Sequence, residues 1–133
     1  MAVELTRVTG SCHCGTVRFE ALLPADNVAQ RCNCSICAMT GFVHLLVPAA
    51  RFRLLSGESS LRSYCFNTGV ARHLFCGTCG IKSFYVPRSH PQGFSLNLRC
   101  LELPDTVTVS IEPFDGQHWE RHAAELPPLP GPG

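Results

Sequence analysis

The chain has 133 residues, of which 45% are hydrophobic and 16% are charged, and its 11 basic side chains nearly balance its 10 acidic ones. This length predicts one domain with a real core rather than two independently stable ones. The net charge of +1 argues against nucleic acid or anionic lipid as a partner, and the apolar residues are too dispersed for a membrane span.

The N-terminal residues and the cysteine content bear on the cellular compartment. Residues 1–7 lack the basic start, apolar stretch and small-residue cleavage site of a secretory signal, so we expect a cytoplasmic protein. Nine cysteines are a large excess for this length. In a reducing compartment they are expected to be metal ligands or reactive thiols rather than disulfides.

Short strands dominate the predicted elements. Apolar and polar side chains alternate around Val17 and Phe19, and again at Val107, Val109 and Ile111, which is typical of half-buried strands. Between these two segments, short apolar, β-branched or aromatic runs separated by turn residues cover residues 42–47, 52–55, 61–66, 70–75, 81–86 and 94–98. The pattern predicts a mainly β protein with antiparallel strands.

Helical signals are few. Only residues 35–39 and 119–125 have a helical pattern, and both segments are short. Residues 126–133 are rich in proline and glycine, so we expect an extended or flexible tail there. The predicted organisation is therefore one domain over residues 1–125, followed by the tail 126–133.

Two cysteine pairs form the first candidate metal site. In the C-x-C pair of Cys12 and Cys14, residues two apart on an extended strand point to the same side. In the C-x-x-C pair of Cys76 and Cys79, the neighbouring glycines permit a sharp turn that brings both sulfurs to one ion. The four thiolates together predict a closed, structural zinc site.

A third cluster has a different spacing. Cys32, Cys34 and Cys37 form a C-x-C-x-x-C run, so three sulfurs from one loop can occupy one face of a tetrahedral ion. If the fourth position falls to water or a substrate, the site has the open coordination of a catalytic zinc. This interpretation predicts that the three cysteines belong to the active site.

An alternative for the trio is a second closed structural site. Its fourth ligand would then come from one of four other side chains: Cys65, Cys100, His44 or His73. Cys65 itself lies in a strand-like run and is expected to be a small core residue. Outside the cysteines, Arg88 is a candidate for holding a substrate carboxylate. Arg31, Arg88 and backbone N–H groups are candidates for offsetting the negative charge of the trio.

The ordered motifs resemble one known family. They are GSCHCG at residues 10–15, CNCSIC at residues 32–37 and FCGTCG at residues 75–80. Together they are similar to the glutathione-dependent formaldehyde-activating enzyme and centromere protein V family. FNT at residues 66–68 and SFYVPRS at residues 83–89 resemble the centromere protein V branch more closely.

The resemblance implies a fold and two zinc sites. The fold is an Mss4-like β-tent of small antiparallel sheets stitched by zinc. The family's structural zinc corresponds to Cys12, Cys14, Cys76 and Cys79. Its catalytic zinc corresponds to Cys32, Cys34 and Cys37.

The resemblance also implies an activity. The family joins glutathione and formaldehyde into S-hydroxymethylglutathione, which is carbon–sulfur lyase chemistry in reverse. We therefore expect zinc as cofactor, glutathione as co-substrate and a small thiol or aldehyde as partner, in a monomer or homodimer. Two other functions compatible with the same residues are a zinc-stabilised binding module without catalysis, and a thiol sensor whose trio releases zinc on oxidation.

Overall fold

The computed structural model describes residues 4–66, 71–87 and 92–115. Within these ranges the chain is built mainly of short strands. In chain order they are β1 (Thr6–Ser11), β2 (Arg18–Leu23), β3 (Asp26–Cys32), β4 (Val43–Pro48), β5 (Phe52–Ser56), β6 (Leu61–Tyr64), β7 (His73–Cys76), β8 (Phe84–Tyr85), β9 (Gly93–Asn97), β10 (Leu101–Glu102) and β11 (Thr108–Phe114). The prediction of a mainly β protein is confirmed.

Helical structure is limited to short pieces. The α-helix α1 spans Ser35–Thr40, where the sequence predicted a helical turn. Single 3-10 turns occupy Ala49–Arg51, Glu58–Ser60 and Leu98–Cys100. The expected helix at residues 119–125 and the expected tail 126–133 lie outside the described residues. None of the described helices is long and apolar enough to cross a membrane.

The strands form three sheets. The first has four strands in the order β10-β1-β2-β5, the second has five in the order β11-β3-β4-β9-β8, and β6 pairs with β7 in a separate ribbon. Neighbouring strands run antiparallel, with one exception. β11 runs parallel to β3, from Thr108 opposite Asp26 to Phe114 opposite Cys32.

Strand β11 also departs from the expected burial. It lies at the edge of the five-stranded sheet, and Ile111, which the alternation placed on the buried face of the strand, is 48% exposed. A period of two shows which residues share a face of a strand, but it does not show whether another layer covers that face. Pro113 fits an edge position because it has no N–H to donate to a further strand.

Side chains from the two larger sheets form one hydrophobic core. Phe19 of β2 is fully buried, as the alternation predicted, and its ring centroid lies 5.4 Å from that of Phe84 in the five-stranded sheet. The rings of Phe52 and Phe94 stack at 4.2 Å across the same boundary. Burying a side chain of this size contributes about 1.5 to 3 kcal/mol. The sheets are thus held together by packing, with the cysteine clusters near their ends.

Candidate metal centres

The structure brings the two cysteine pairs together. The Sγ atoms of Cys12, Cys14, Cys76 and Cys79 all lie within 4.8 Å of one another. Cys12 and Cys14 are separated by 3.6 Å and Cys14 and Cys76 by 3.8 Å. Sulfurs bound tetrahedrally at a zinc–sulfur distance of about 2.3 Å would lie about 3.8 Å apart. The cluster is therefore able to hold one zinc ion.

The first pair reaches this site by a turn. Cys12 comes directly after β1, and the chain turns back so that Gly15 N donates to Cys12 O at 3.2 Å and Cys12 N donates to Val17 O at 3.0 Å. The expectation that both cysteines lie on an extended strand is wrong. Both sulfurs still reach the same side because the turn, rather than the strand period, directs them.

The second pair forms the expected sharp turn at the end of β7. Gly80 N donates to Cys76 O at 2.8 Å, and Gly80 has φ of +78°. Side chains with a Cβ rarely adopt this conformation, so glycine is strongly favoured here. The turn places Cys79 beside Cys76 and opposite the first pair.

Backbone N–H groups donate hydrogen bonds to two of the four sulfurs and so favour negative charge on them. Val17 N donates to Cys12 Sγ at 3.3 Å, and Thr78 N donates to Cys76 Sγ at 3.4 Å. Even so, burial raises the pKa of Cys12 to about 11. A cation among the sulfurs would favour the thiolate form, so this donor set fits a divalent metal.

The trio lies where β3 meets α1. Cys32 is the last residue of β3, Cys34 precedes α1, and Cys37 is buried within that helix. Their three Sγ atoms also lie within 4.8 Å of one another. Hydrogen bonds from Cys32 and Cys37 lower the pKa of Cys34 to about 2. Contact with Cys32 and Cys34 raises the pKa of Cys37 well above its ordinary value.

Opposite shifts are expected where sulfurs lie close enough to share protons. One thiolate forms easily and its neighbours then hold their protons, because three negative charges in so small a volume repel. A divalent cation would allow all three to ionise. The chemistry of the donor set therefore fits a metal at the trio as well.

His44 makes a hydrogen-bond contact with Cys37. Its Nε2 lies 3.0 Å from Cys37 Sγ, while its Nδ1 lies 3.0 Å from Ser95 Oγ and 3.1 Å from Tyr85 Oη. Burial lowers the pKa of His44 to about 3, so the ring is neutral at pH 7. When Cys37 is a thiolate, the ring's proton must be on Nε2 and donate to the sulfur, and Nδ1 then accepts from a hydroxyl.

The sequence offers four candidates for a protein ligand at the fourth position of the trio: Cys65, Cys100, His44 and His73. Within residues 4–66, 71–87 and 92–115, the metal-binding group at this site contains the three cysteines alone. His44 contacts only one of the three sulfurs at hydrogen-bond distance. Neither Cys100 nor His73 joins the group. Cys65 is exposed, so its expected place in the core is wrong.

A cleft of about 600 Å³ opens beside the trio. Cys32 and Cys37 contribute to its wall, together with Phe42 and the exposed Arg31 and Arg99. The sequence singled out Arg31 but not Arg99. Arg88, the other arginine named from the sequence, lies outside the described residues. The cleft gives a small molecule with anionic groups access to two trio cysteines.

Comparisons with known proteins agree with this site. The model of the family described as glutathione-dependent formaldehyde-activating enzyme matches residues 7–117. A Rhodobacter sphaeroides protein of known crystal structure is 36% identical and superposes with a TM-score of 0.66, covering 78% of this chain and 99% of that one. A Halomonas elongata protein that carries the name of the same family provisionally is 55% identical over 31 residues. That match spans 23% of this chain and 20% of the relative's length.

Proposed function

Because the chain belongs to the glutathione-dependent formaldehyde-activating enzyme family, we propose that it is a zinc-dependent carbon–sulfur lyase for the thiol adduct of formaldehyde or another small aldehyde. The observation that carries this proposal is the trio of cysteines at a cleft, with no fourth protein ligand among the described residues. A site completed by the protein would have no coordination position for a substrate. An open one does.

The two cysteine clusters have different proposed roles. Cys12, Cys14, Cys76 and Cys79 bind a structural zinc, since four thiolates fill a tetrahedron. The trio Cys32, Cys34 and Cys37 binds a catalytic zinc, and an external thiol is its fourth ligand. These assignments rest on sulfur geometry and on the cleft that opens beside the trio.

Zinc at the trio and the arginines of the cleft have separate proposed roles toward a thiol substrate. A free thiol has a pKa near 8.5, and zinc at the trio would favour its thiolate, the form that adds to an aldehyde carbon. Glutathione carries two carboxylates, and Arg31 and Arg99 are placed to bind them through planar, bidentate contacts. We retain Arg88 as a further proposed carboxylate ligand.

Finer aspects of the identity are also proposals. Residues 66–68 and 83–89 favour the centromere protein V branch, and the resemblance to the family as a whole implies an Mss4-like β-tent. We further propose one domain over residues 1–125, a monomer or homodimer, and a cytoplasmic location. The location is supported by the nine described cysteines, all of which are free thiols in the structure.

Cobalt substitution tests the proposed function. Cobalt(II) in place of zinc reports its ligands by visible absorption, and we expect two metal ions per chain in the wild-type protein. Saturating glutathione should change the spectrum of one ion. Cys34→Ser should lose that ion and its response, yet remain folded by circular dichroism. The wild-type enzyme should also accelerate the interconversion of formaldehyde, glutathione and their adduct.

Other results would indicate the alternative functions. A binding module would be favoured if glutathione changed the spectrum of neither ion and if both ions were essential for folding. Release of the trio's metal by mild peroxide, restored by a reductant, without any acceleration of the thiol reaction would favour a sensor.

A further inference from the structure

Lys82 is an unusual residue in this chain. It is the only lysine among the 11 basic side chains, the other ten being arginine, and its side chain is buried, with 7% of the residue exposed. It lies between the second cysteine pair and β8. Its backbone is fixed by Asn97, whose Nδ2 donates to Lys82 O at 3.0 Å.

The Lys82 amine is held in one place. Nζ lies 2.7 Å from His73 Nδ1 and 3.9 Å from the centroid of the Tyr85 ring. An ammonium only donates hydrogen bonds, so His73 Nδ1 accepts and the ring is neutral. The aromatic face of Tyr85 adds a cation–π attraction.

No carboxylate compensates this buried charge within the described residues. The ion pairs there join Glu20 to Arg7 and to Arg53, and neither includes Lys82. A buried ammonium without a counter-charge is strongly unfavourable. The structure must therefore offer another source of negative charge.

The trio is the candidate source of that charge. Burial lowers the pKa of Lys82 to about 8, while Cys37 and Cys34 act in the opposite direction and raise it. A chain of contacts also links Lys82 to the trio. The Tyr85 ring lies under the amine, Tyr85 Oη hydrogen-bonds His44, and His44 contacts Cys37. Among the residues that the structure describes, the titratable groups around Lys82 are thus His73 of β7, Tyr85 of β8, His44 of β4, and Cys34 and Cys37 at α1.

We propose that the Lys82 ammonium is the counter-charge of the trio and favours an anionic sulfur, a thiolate, as the ligand that enters the open side of the site. This inference rests on the proposed function and adds the residue that selects the charge of the incoming ligand. A divalent ion with three thiolates has a net charge of minus one. Lys82 brings the site to neutrality, so an incoming thiolate makes it minus one rather than minus two.

Two kinds of electrostatic effect on a thiol substrate can be separated. Lys82 acts on the charge of the sulfur, whereas Arg31 and Arg99 face the cleft and act on carboxylates. Of these charged groups, only Lys82 therefore acts on a small thiol without carboxylates, 2-mercaptoethanol. Glutathione depends on both groups.

The test is a thiol titration of the cobalt-loaded protein, followed by absorption at fixed pH. Lys82→Met removes the charge and keeps an unbranched side chain, Lys82→Arg keeps the charge, and Arg7→Met removes an exposed charge as a control. We expect Lys82→Met to weaken the binding of both thiols at least ten-fold and by similar factors. Lys82→Arg should restore most of the affinity, and Arg7→Met should change nothing. Arg99→Met should weaken the binding of glutathione and leave that of 2-mercaptoethanol unchanged.

The outcomes separate this inference from the proposed function. If neither thiol changes the spectrum of the wild-type protein, the proposed external ligand is wrong and the inference fails with it. If the wild type binds thiols and Lys82→Met binds them equally well, only the counter-charge is wrong. Metal counts and circular dichroism on each variant show whether it is folded and loaded.

A second measurement needs no substitution. Because the chain has one lysine, protein labelled with carbon-13 at the lysine ε position gives a single side-chain NMR signal whose titration reports the pKa of Lys82. Entry of 2-mercaptoethanol as a thiolate should raise that pKa by adding negative charge nearby. A pKa unchanged by thiol that demonstrably binds would overturn the proposal, even if Lys82→Met fails to fold.

Discussion

At the residue scale, His44 shows how a side chain's role depends on its neighbours. Its position in the sequence allows a metal ligand, a core residue or a supporting group. The 3.0 Å contact with Cys37 and the hydroxyls of Ser95 and Tyr85 behind the ring favour the supporting group. Such a donor orients a ligating sulfur and reduces its negative charge.

We therefore expect His44→Leu to weaken metal binding at the trio by about 10- to 100-fold, because Cys37 loses its donor. His44→Gln, which keeps an N–H, should recover part of that loss. Chelator competition on the fully loaded protein measures both ions. An unchanged affinity in His44→Leu would contradict the supporting role, and the four-cysteine ion serves as the internal control.

At the element scale, the turn after β7 connects strand geometry to metal geometry. β7 ends at Cys76, and Gly80 completes the turn in a left-handed conformation, with no neighbouring atom within 4 Å of the point that a Cβ would occupy. The requirement at this position is thus one of backbone conformation and not of space. Asparagine tolerates that conformation better than alanine does.

This difference gives a sharp prediction at Gly80. We expect Gly80→Ala to lower the free energy of unfolding by about 1 kcal/mol, and Gly80→Asn to lower it less. Denaturant unfolding of the zinc-loaded proteins measures both. Equal losses in the two variants would show that something other than the left-handed conformation makes glycine necessary.

At the scale of the whole molecule, the four-cysteine cluster joins separate sheets. Cys12 follows β1 of the four-stranded sheet, and Cys76 ends β7 of the β6–β7 ribbon. The trio, in contrast, lies within one local segment between β3 and α1. Loss of the two metals should therefore have unequal consequences for the fold.

We predict that Cys76→Ser lowers the melting temperature strongly and leaves part of the chain unfolded, since structural zinc contributes on the order of 10 kcal/mol to folding. Cys65→Ser is the matched control, because Cys65 is exposed and belongs to neither cluster. Thermal unfolding followed by circular dichroism measures both variants. Similar melting temperatures for Cys76→Ser and the wild type would refute a structural role for the cluster.

The sequence by itself determined the strand-rich class, the short helix at the trio and the division of seven cysteines into four and three. The strand class, the helix and the spacings within each cysteine pair and within the trio depend on residues close together in the chain, where alternation and short spacings constrain geometry directly. The meeting of the two pairs joins distant segments, and it is expected because four thiolates complete a tetrahedral site. The sequence did not identify β1, β3 or β10 as strands. Their segments carry few apolar residues, and pairing with other strands determines their structure.

Tertiary structure decided what surrounds the trio. The parallel pairing of β3 with β11, the exposure of Ile111, and the placement of His44 against Ser95 and Tyr85 all depend on segments far apart in the chain. Local patterns carry no information about such contacts, because burial and charge at a site are set by whichever elements pack against it. For the same reason, a buried lysine became a candidate for function only once its missing carboxylate and its nearby thiols could be seen.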